Sequence, residues 1–163
     1  MNGQRVLSDT RRSEQDMRRI LLAASAAAMM ASPFAAHAAG SSTSSDVSIG
    51  DVKRYVDKGE YSRAIVRAYE YLDENPRSAD AYNYIGFSYR KQENYEKAQG
   101  AYDRALKLDA NHVGAHEYYG ELHITLGDLV AAETHLAALT RICGNCAEQQ
   151  ELSGKLAKAQ SGS

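Results

Sequence analysis

The chain has 163 residues, of which 44% are hydrophobic and 25% charged, and its formal charge is −2. That length admits one ordinary domain at most. No basic patch dominates, and the near balance of signs argues against general nucleic-acid or anionic-membrane binding, both of which need clustered positive charge.

Residues 1–38 read as a secretory signal. Arg18 and Arg19 precede Ile20-Leu21-Leu22 and an alanine-rich run to Phe34, and Ala36-His37-Ala38 is a small-residue cleavage pattern before Ala39. Met17 competes with Met1 as the initiator, since Met17-Arg18-Arg19 is a more ordinary basic region than the mixed-charge stretch before it. The pairs Arg11-Arg12 and Arg18-Arg19 lack the full twin-arginine signature, which favours the general secretory route. An uncleaved anchor is the competing reading, but the strongly apolar run falls short of the ~20 residues a spanning helix needs. No cysteine lies near the cleavage site, so a lipoprotein is not expected. Five of the 19 basic and three of the 21 acidic residues precede residue 39, leaving 14 against 18 and a formal charge of −4 beyond it. Residues 39–46, rich in Gly, Ser and Thr, read as a flexible linker.

From residue 47 the chain reads as helical hairpins, a domain over 47–160. Segments 47–58 and 61–74 form the first pair, ended by Gly59 and by Asn75-Pro76. Ser78 offers an N-cap for a helix running to about Gln92, and Asn94 caps one that continues to Leu108. Asn111 and Asp128 are expected to cap helices over 112–126 and 129–142. A last helix over 146–159 is expected to open on Asn145 as N-cap with Glu148 three residues on, in the manner of a capping box, and to cover the exposed end of the array.

Ala64, Ala98 and Ala132 lie 34 residues apart, and around Ala98 stand Tyr82, Ile85, Gly86, Tyr89, Tyr95, Tyr102 and Ala105. This pattern resembles the tetratricopeptide repeat, with units at about 45–78, 79–112 and 113–146. The resemblance implies an all-α solenoid of helix-turn-helix repeats. In it Gly86 and Gly120 admit a second helix closely, Ala98 and Ala132 supply its small partner surface, and most of the 11 tyrosines fill core gaps. The outer units depart from the pattern. Val52 stands at the glycine position of the first, where Ala68 and Tyr71 also reverse the usual order, while Tyr55 and Pro76 match. In the third, His116 and His123 replace aromatic residues and Leu139 an alanine.

Function in the family generally comes from a concave surface lined by the first helix of each pair. Carried over by position, the inward columns are Ile49, Asn83 and Glu117; Lys53, Phe87 and Glu121; and Val56, Arg90 and Ile124. Lys91 lies beside Arg90 at a basic end, with Glu117 and Glu121 at an acidic end. Phe87 and Arg90 are residue types enriched at binding hot spots, which suits an amphipathic peptide or protein segment with both signs of charge. The competing reading is a solvated helix face. The carboxylate-clamp version of the family needs Lys and Asn on the first helix and basic residues on the third; Ile49, Lys53, Tyr84, Gly114 and Tyr118 occupy those places, so that activity is not expected.

Cys143-Gly144-Asn145-Cys146 holds the only cysteines. In an exported protein a local disulfide is the first expectation, worth little because its loop is short. A redox pair is the sharper alternative, because Cys146 would lie in the first turn of a helix, but such motifs usually sit at strand-to-helix junctions. Haem attachment is disfavoured, since Ala147 stands where histidine is required. His112 and His116 share a helix face, with His123 and His135 in the same unit; packing or surface roles are preferred to metal binding, because no ligand spacing ties them to the cysteines. No phosphate-cradling loop, nucleophile elbow or metalloprotease motif is legible, so neither an enzyme nor a cofactor is expected.

The expectation is an exported, three-repeat, all-α protein in the periplasm of a Gram-negative bacterium, a monomer or weak homodimer acting as a protein-interaction adaptor. The alternative is a thiol-redox or metal-handling helper that uses Cys143 and Cys146.

Overall fold

The computed structural model describes residues 47–162. Residues 1–46, where the sequence leads one to expect a signal, a cleavage site and a linker, lie outside the described residues. Seven helices follow one another: α1 (Ile49–Asp57), α2 (Tyr61–Glu74), α3 (Ala79–Lys91), α4 (Tyr95–Leu108), α5 (Val113–Leu126), α6 (Leu129–Cys143) and α7 (Ala147–Ser161). No strand occurs among the described residues, and no helix among them is long and apolar enough to cross a membrane.

Local chemistry sets most helix starts. Ser48 and Asp51 form a reciprocal capping box at α1, with Asp51 N–H donating to Ser48 Oγ at 3.2 Å and Ser48 N–H to Asp51 Oδ2 at 2.9 Å. Ser78, Asn94 and Asp128 accept from the backbone N–H of Ala81, Lys97 and Ala131, as their residue types suggest. Two expected caps are corrected. At α5 the cap is His112, whose Nδ1 accepts from Ala115 N–H at 3.0 Å, whereas the Asn111 backbone N–H turns back to Asp109 Oδ1. Since Nδ1 accepts, the neutral ring carries its proton on Nε2 and donates it to Asp80 Oδ1 at 3.0 Å, tying the starts of α3 and α5 together. At α7 the cap residue is Cys146, with no side-chain cap bond, and Asn145 is occupied instead by Gln150 Nε2, 3.1 Å from its Oδ1.

The three hairpin turns repeat at 34-residue spacing through Gly59, Glu93 and Gly127, with φ of 72°, 59° and 78°. The central hairpin thus holds a glutamate in the left-handed region that its neighbours give to glycine.

Two apolar clusters stack along the array. Val52, Ala68, Leu72, Ala81, Ile85 and Ala101 join α1 to α4; Ala98, Tyr102, Tyr119 and Leu122 join α4 to α5. Gly86 lets the Tyr102 ring approach so closely that a Cβ there would stand 2.6 Å from it. Gly120 is closed differently, most tightly by Leu152 of α7 at 2.5 Å from the same hypothetical atom, with the His135 Cβ of α6 at 3.3 Å. Helix α7 packs on both α5 and α6. Gly154 lies 34 residues beyond Gly120, so α7 stands where the first helix of a fourth unit would. It is more than the cover expected from sequence.

Candidate functional site

With α7 in that place, the inward columns extend by one member each: Glu117 is followed by Glu151, Glu121 by Lys155, and Ile124 by Lys158. These three residues went unassigned from sequence, although the 34-residue spacing and Gly154 carried the signal.

The centre of the face is a charge relay, buried at its Arg90–Glu121 pair and exposed at its Lys155–Glu151 end. Arg90 Nη2 lies 2.7 Å from Glu121 Oε2, both side chains being about nine-tenths buried. Lys155 bonds the other Glu121 oxygen and also Glu151 Oε1 at 2.8 Å. Burial works against the Lys155 ammonium, yet hydrogen bonds to Glu121 and Glu151 hold its pKa above the ordinary value. The separate basic and acidic ends expected from sequence are therefore joined, and Arg90 serves the fold before any ligand.

Aromatic rings floor the same region. The Phe87 centroid is 4.8 Å from that of Tyr118 and 6.2 Å from that of Tyr61. The Arg90 guanidinium stands 5.4 Å from the Phe87 centroid and 5.9 Å from that of Tyr118, while Lys91 Nζ lies 5.3 Å from the Phe87 centroid.

Two cavities flank the relay. One of about 400 Å³ brings together Phe87, Arg90, Lys91, Glu117, Tyr118 and Glu121 with Ala147, Glu148, Glu151 and Lys155 of α7. The other, of about 520 Å³, is lined by Arg90, Glu121, Ile124, Thr125, Lys155, Lys158, Ala159 and Gly162. Five of the expected groove residues thus meet in one cavity, and Ile124 lies in the next.

The α1 residues do not join them. Ile49 packs against the first apolar cluster, Lys53 is exposed and paired with Asp57 at 2.7 Å, and Val56 is half-buried. Asn83 is 5% exposed and packs beside Gly114, its Nδ2 at 3.1 Å from where a Cβ would stand, which makes it an inter-repeat contact and not an open groove position.

Glu117 is 8% exposed. Burial, with the neighbouring Glu121 charge, pushes its carboxyl up to about 7, against the pull of Lys155.

The third hairpin is filled by imidazoles where the second is filled by tyrosine. His116 Nδ1 and His135 Nδ1 are 3.0 Å apart, and His116 Nε2 is 3.1 Å from the Ala110 carbonyl. In its neutral form His116 donates from Nε2 to that carbonyl, so His135 Nδ1–H is the donor between the rings. Tyr119 stacks with His123 at 4.6 Å and meets His135 at 4.7 Å, and its hydroxyl donates to Asp103. Among the described residues no group of three or more His, Cys, Asp and Glu is arranged to hold a metal ion. Cys143 and Cys146 are joined, S–S 2.07 Å, across the turn that delivers α7 to the groove.

A family model described as the tetratricopeptide repeat matches residues 79–112. No curated protein matches the chain. Among solved structures, the TPR2B domain of yeast Sti1 in a complex with pHsp70 is 20% identical with a TM-score of 0.62, over 69% of this chain and 92% of that one. The second TPR domain of human RPAP3, in complex with an HSP70 peptide, is 21% identical with a TM-score of 0.61, over 71% and 94%. The Yersinia enterocolitica type III secretion chaperone SycD, in complex with a peptide of the translocator YopD, is 17% identical with a TM-score of 0.59, over 70% and 87%. At these identities the likeness is one of fold.

Proposed function

We propose that this chain, a tetratricopeptide repeat protein by its central repeat and its fold, is an adaptor that holds a segment of a partner protein in its concave groove. The observation that carries the reading is the convergence of Phe87, Lys91, Glu117 and Tyr118 on one cavity beside the Arg90–Glu121–Lys155 relay. Aromatic rings supply contact area at low entropic cost, and the fixed charges orient whatever lies on them. The solved complexes of similar fold with an HSP70 peptide and with a YopD peptide support a groove of this kind. The signal read in residues 1–38 supports action in the periplasm, which cell fractionation tests. The cysteine pair, closed across the α6–α7 turn, is read as structural: it limits how far α7 can leave the groove.

The test is photocrosslinking in the native envelope fraction. A photoreactive phenylalanine analogue replaces Phe87 in one variant and Val66, 57% exposed on α2, in another. An adduct from position 87 and none from 66 is expected; equal yields, or none from either, overturn the groove. Arg90 is left in place, because removing it would strand the buried Glu121.

A further inference from the structure

The charges around the 400 Å³ cavity are not all spoken for. Arg90 is matched by Glu121, and Lys155 is shared by Glu121 and Glu151. Glu117, more than nine-tenths buried and lining the cavity, has no hydrogen bond or ion pair to its carboxylate among the described residues. An isolated buried carboxylate is costly unless a cation or a proton neutralises it. The charges that shift it are the carboxylates of Glu121, Glu148 and Glu151, opposed by the Lys155 ammonium; Arg90 and Lys91 line the same cavity, the first committed to Glu121 and the second resting on the Phe87 ring. The walls beside Glu117 are the Phe87 and Tyr118 rings.

Resting on the groove reading above, we infer that this cavity takes a cationic side chain of the partner segment, a lysine or an arginine, with Glu117 as its buried counter-ion. The guest's methylene stem lies along Phe87 and Tyr118, and its charged head reaches Glu117, with Glu148 and Glu151 at the rim. The partner is thus a segment with a basic residue at its anchor position, not an acidic tail. A proton competes for the same carboxylate. The charged or titratable groups facing it are Arg90 and Lys91 on α3, Tyr118 and Glu121 on α5, and Glu148, Glu151 and Lys155 on α7. Burial raises the Glu117 pKa to about 7, so the ionised fraction rises roughly tenfold from pH 6 to pH 8, and the preference for a cationic guest rises with it.

The experiment uses the immobilised full chain and four degenerate nonapeptide libraries whose central residue is fixed as lysine, arginine, norleucine or glutamate. At pH 8 the lysine- and arginine-centred libraries are expected to be retained at least about fivefold more than the other two, a preference on the scale of one partly buried ion pair. That preference should shrink about threefold at pH 6, towards parity with norleucine, because most of the Glu117 carboxyl is then protonated, and Glu117→Gln should bring the four libraries to the same level. Equal retention across the four centres, or a preference for glutamate, overturns the cationic pocket and leaves the groove standing. No retention of any library overturns both. The pH series on the parent protein decides the matter even if Glu117→Gln fails to fold.

Discussion

Gly86 and Gly120 occupy the same place in successive repeats, yet they are closed by different partners. At Gly86 the intruding group is the Tyr102 ring, fully buried and carried by the second helix of the same hairpin. At Gly120 it is the branched end of Leu152, carried by α7. The second repeat therefore completes its own interior, whereas the third, whose own His135 Cβ stands 3.3 Å from the same point, takes its tightest closure from the next helix along. Dependence on a neighbour is a property of the individual hairpin here, not of the array as a whole.

Gly86→Ala and Gly120→Ala break that comparison most sharply. A methyl at Gly86 meets a buried ring with nowhere to go, and Gly86→Ala should cost about 2 kcal/mol even after the gain in helix propensity. At Gly120 the intruding atoms are the far end of a leucine side chain, which adjusts more readily than a ring, but that leucine is fully buried and the His135 Cβ stands 3.3 Å away, so Gly120→Ala should cost about 1 kcal/mol. Urea unfolding of the two variants checks this; equal costs would mean that the two closures are equally rigid.

The imidazole filling of the third hairpin makes its stability depend on pH. Burial, reinforced by His116 and His123, lowers the His135 pKa from 6.5 to about 4, and Asp128 and Asp103 face the same ring cluster through His123. Between those two values the unfolded chain binds a proton that the folded chain refuses, so the stability His135 contributes falls as pH drops through the window. Between pH 7 and pH 4.5 the thermal midpoint of the parent should fall by on the order of 5 °C more than that of His135→Phe. Parallel falls in the two proteins would place the proton uptake elsewhere.

The smallest expected effect lies at the turns. Glu93 holds the left-handed conformation that Gly59 and Gly127 hold in the flanking repeats. Glu93→Gly should raise stability by about 0.5 kcal/mol, the relief of side-chain strain being partly offset by the greater freedom of glycine in the unfolded chain. A loss of stability in thermal melts would show that the glutamate side chain matters more than its backbone.

Much of the fold was legible because its determinants are local or periodic. Ser78, Asn94 and Asp128 cap where their chemistry predicts, since an N-cap bond spans only three residues. His112 was missed because imidazole is not an ordinary cap, and here Asp80, 32 residues away, holds the ring in the tautomer that accepts. The role of α7 was partly legible: Gly154 and Lys155 stand at the repeat spacing, but the apolar pattern of that helix is thin and the helix reads first as a cover.

The candidate site was less legible, because position in a repeat says which way a side chain faces and not what it meets. Phe87, Arg90, Lys91, Glu117 and Glu121 face the cavity as their spacing implied. That Arg90 would be taken by Glu121, that Lys155 would join them, and that Glu117 would be left without a partner depend on distances across three helices. The sequence by itself determined the helical hairpins, their 34-residue period and the small residues that let them pack, since each follows from contacts within one repeat or between adjacent ones. Only the tertiary structure decided which charges neutralise one another and which carboxylate stays unmatched, because Coulomb pairing depends on separations in space that no single helix sets.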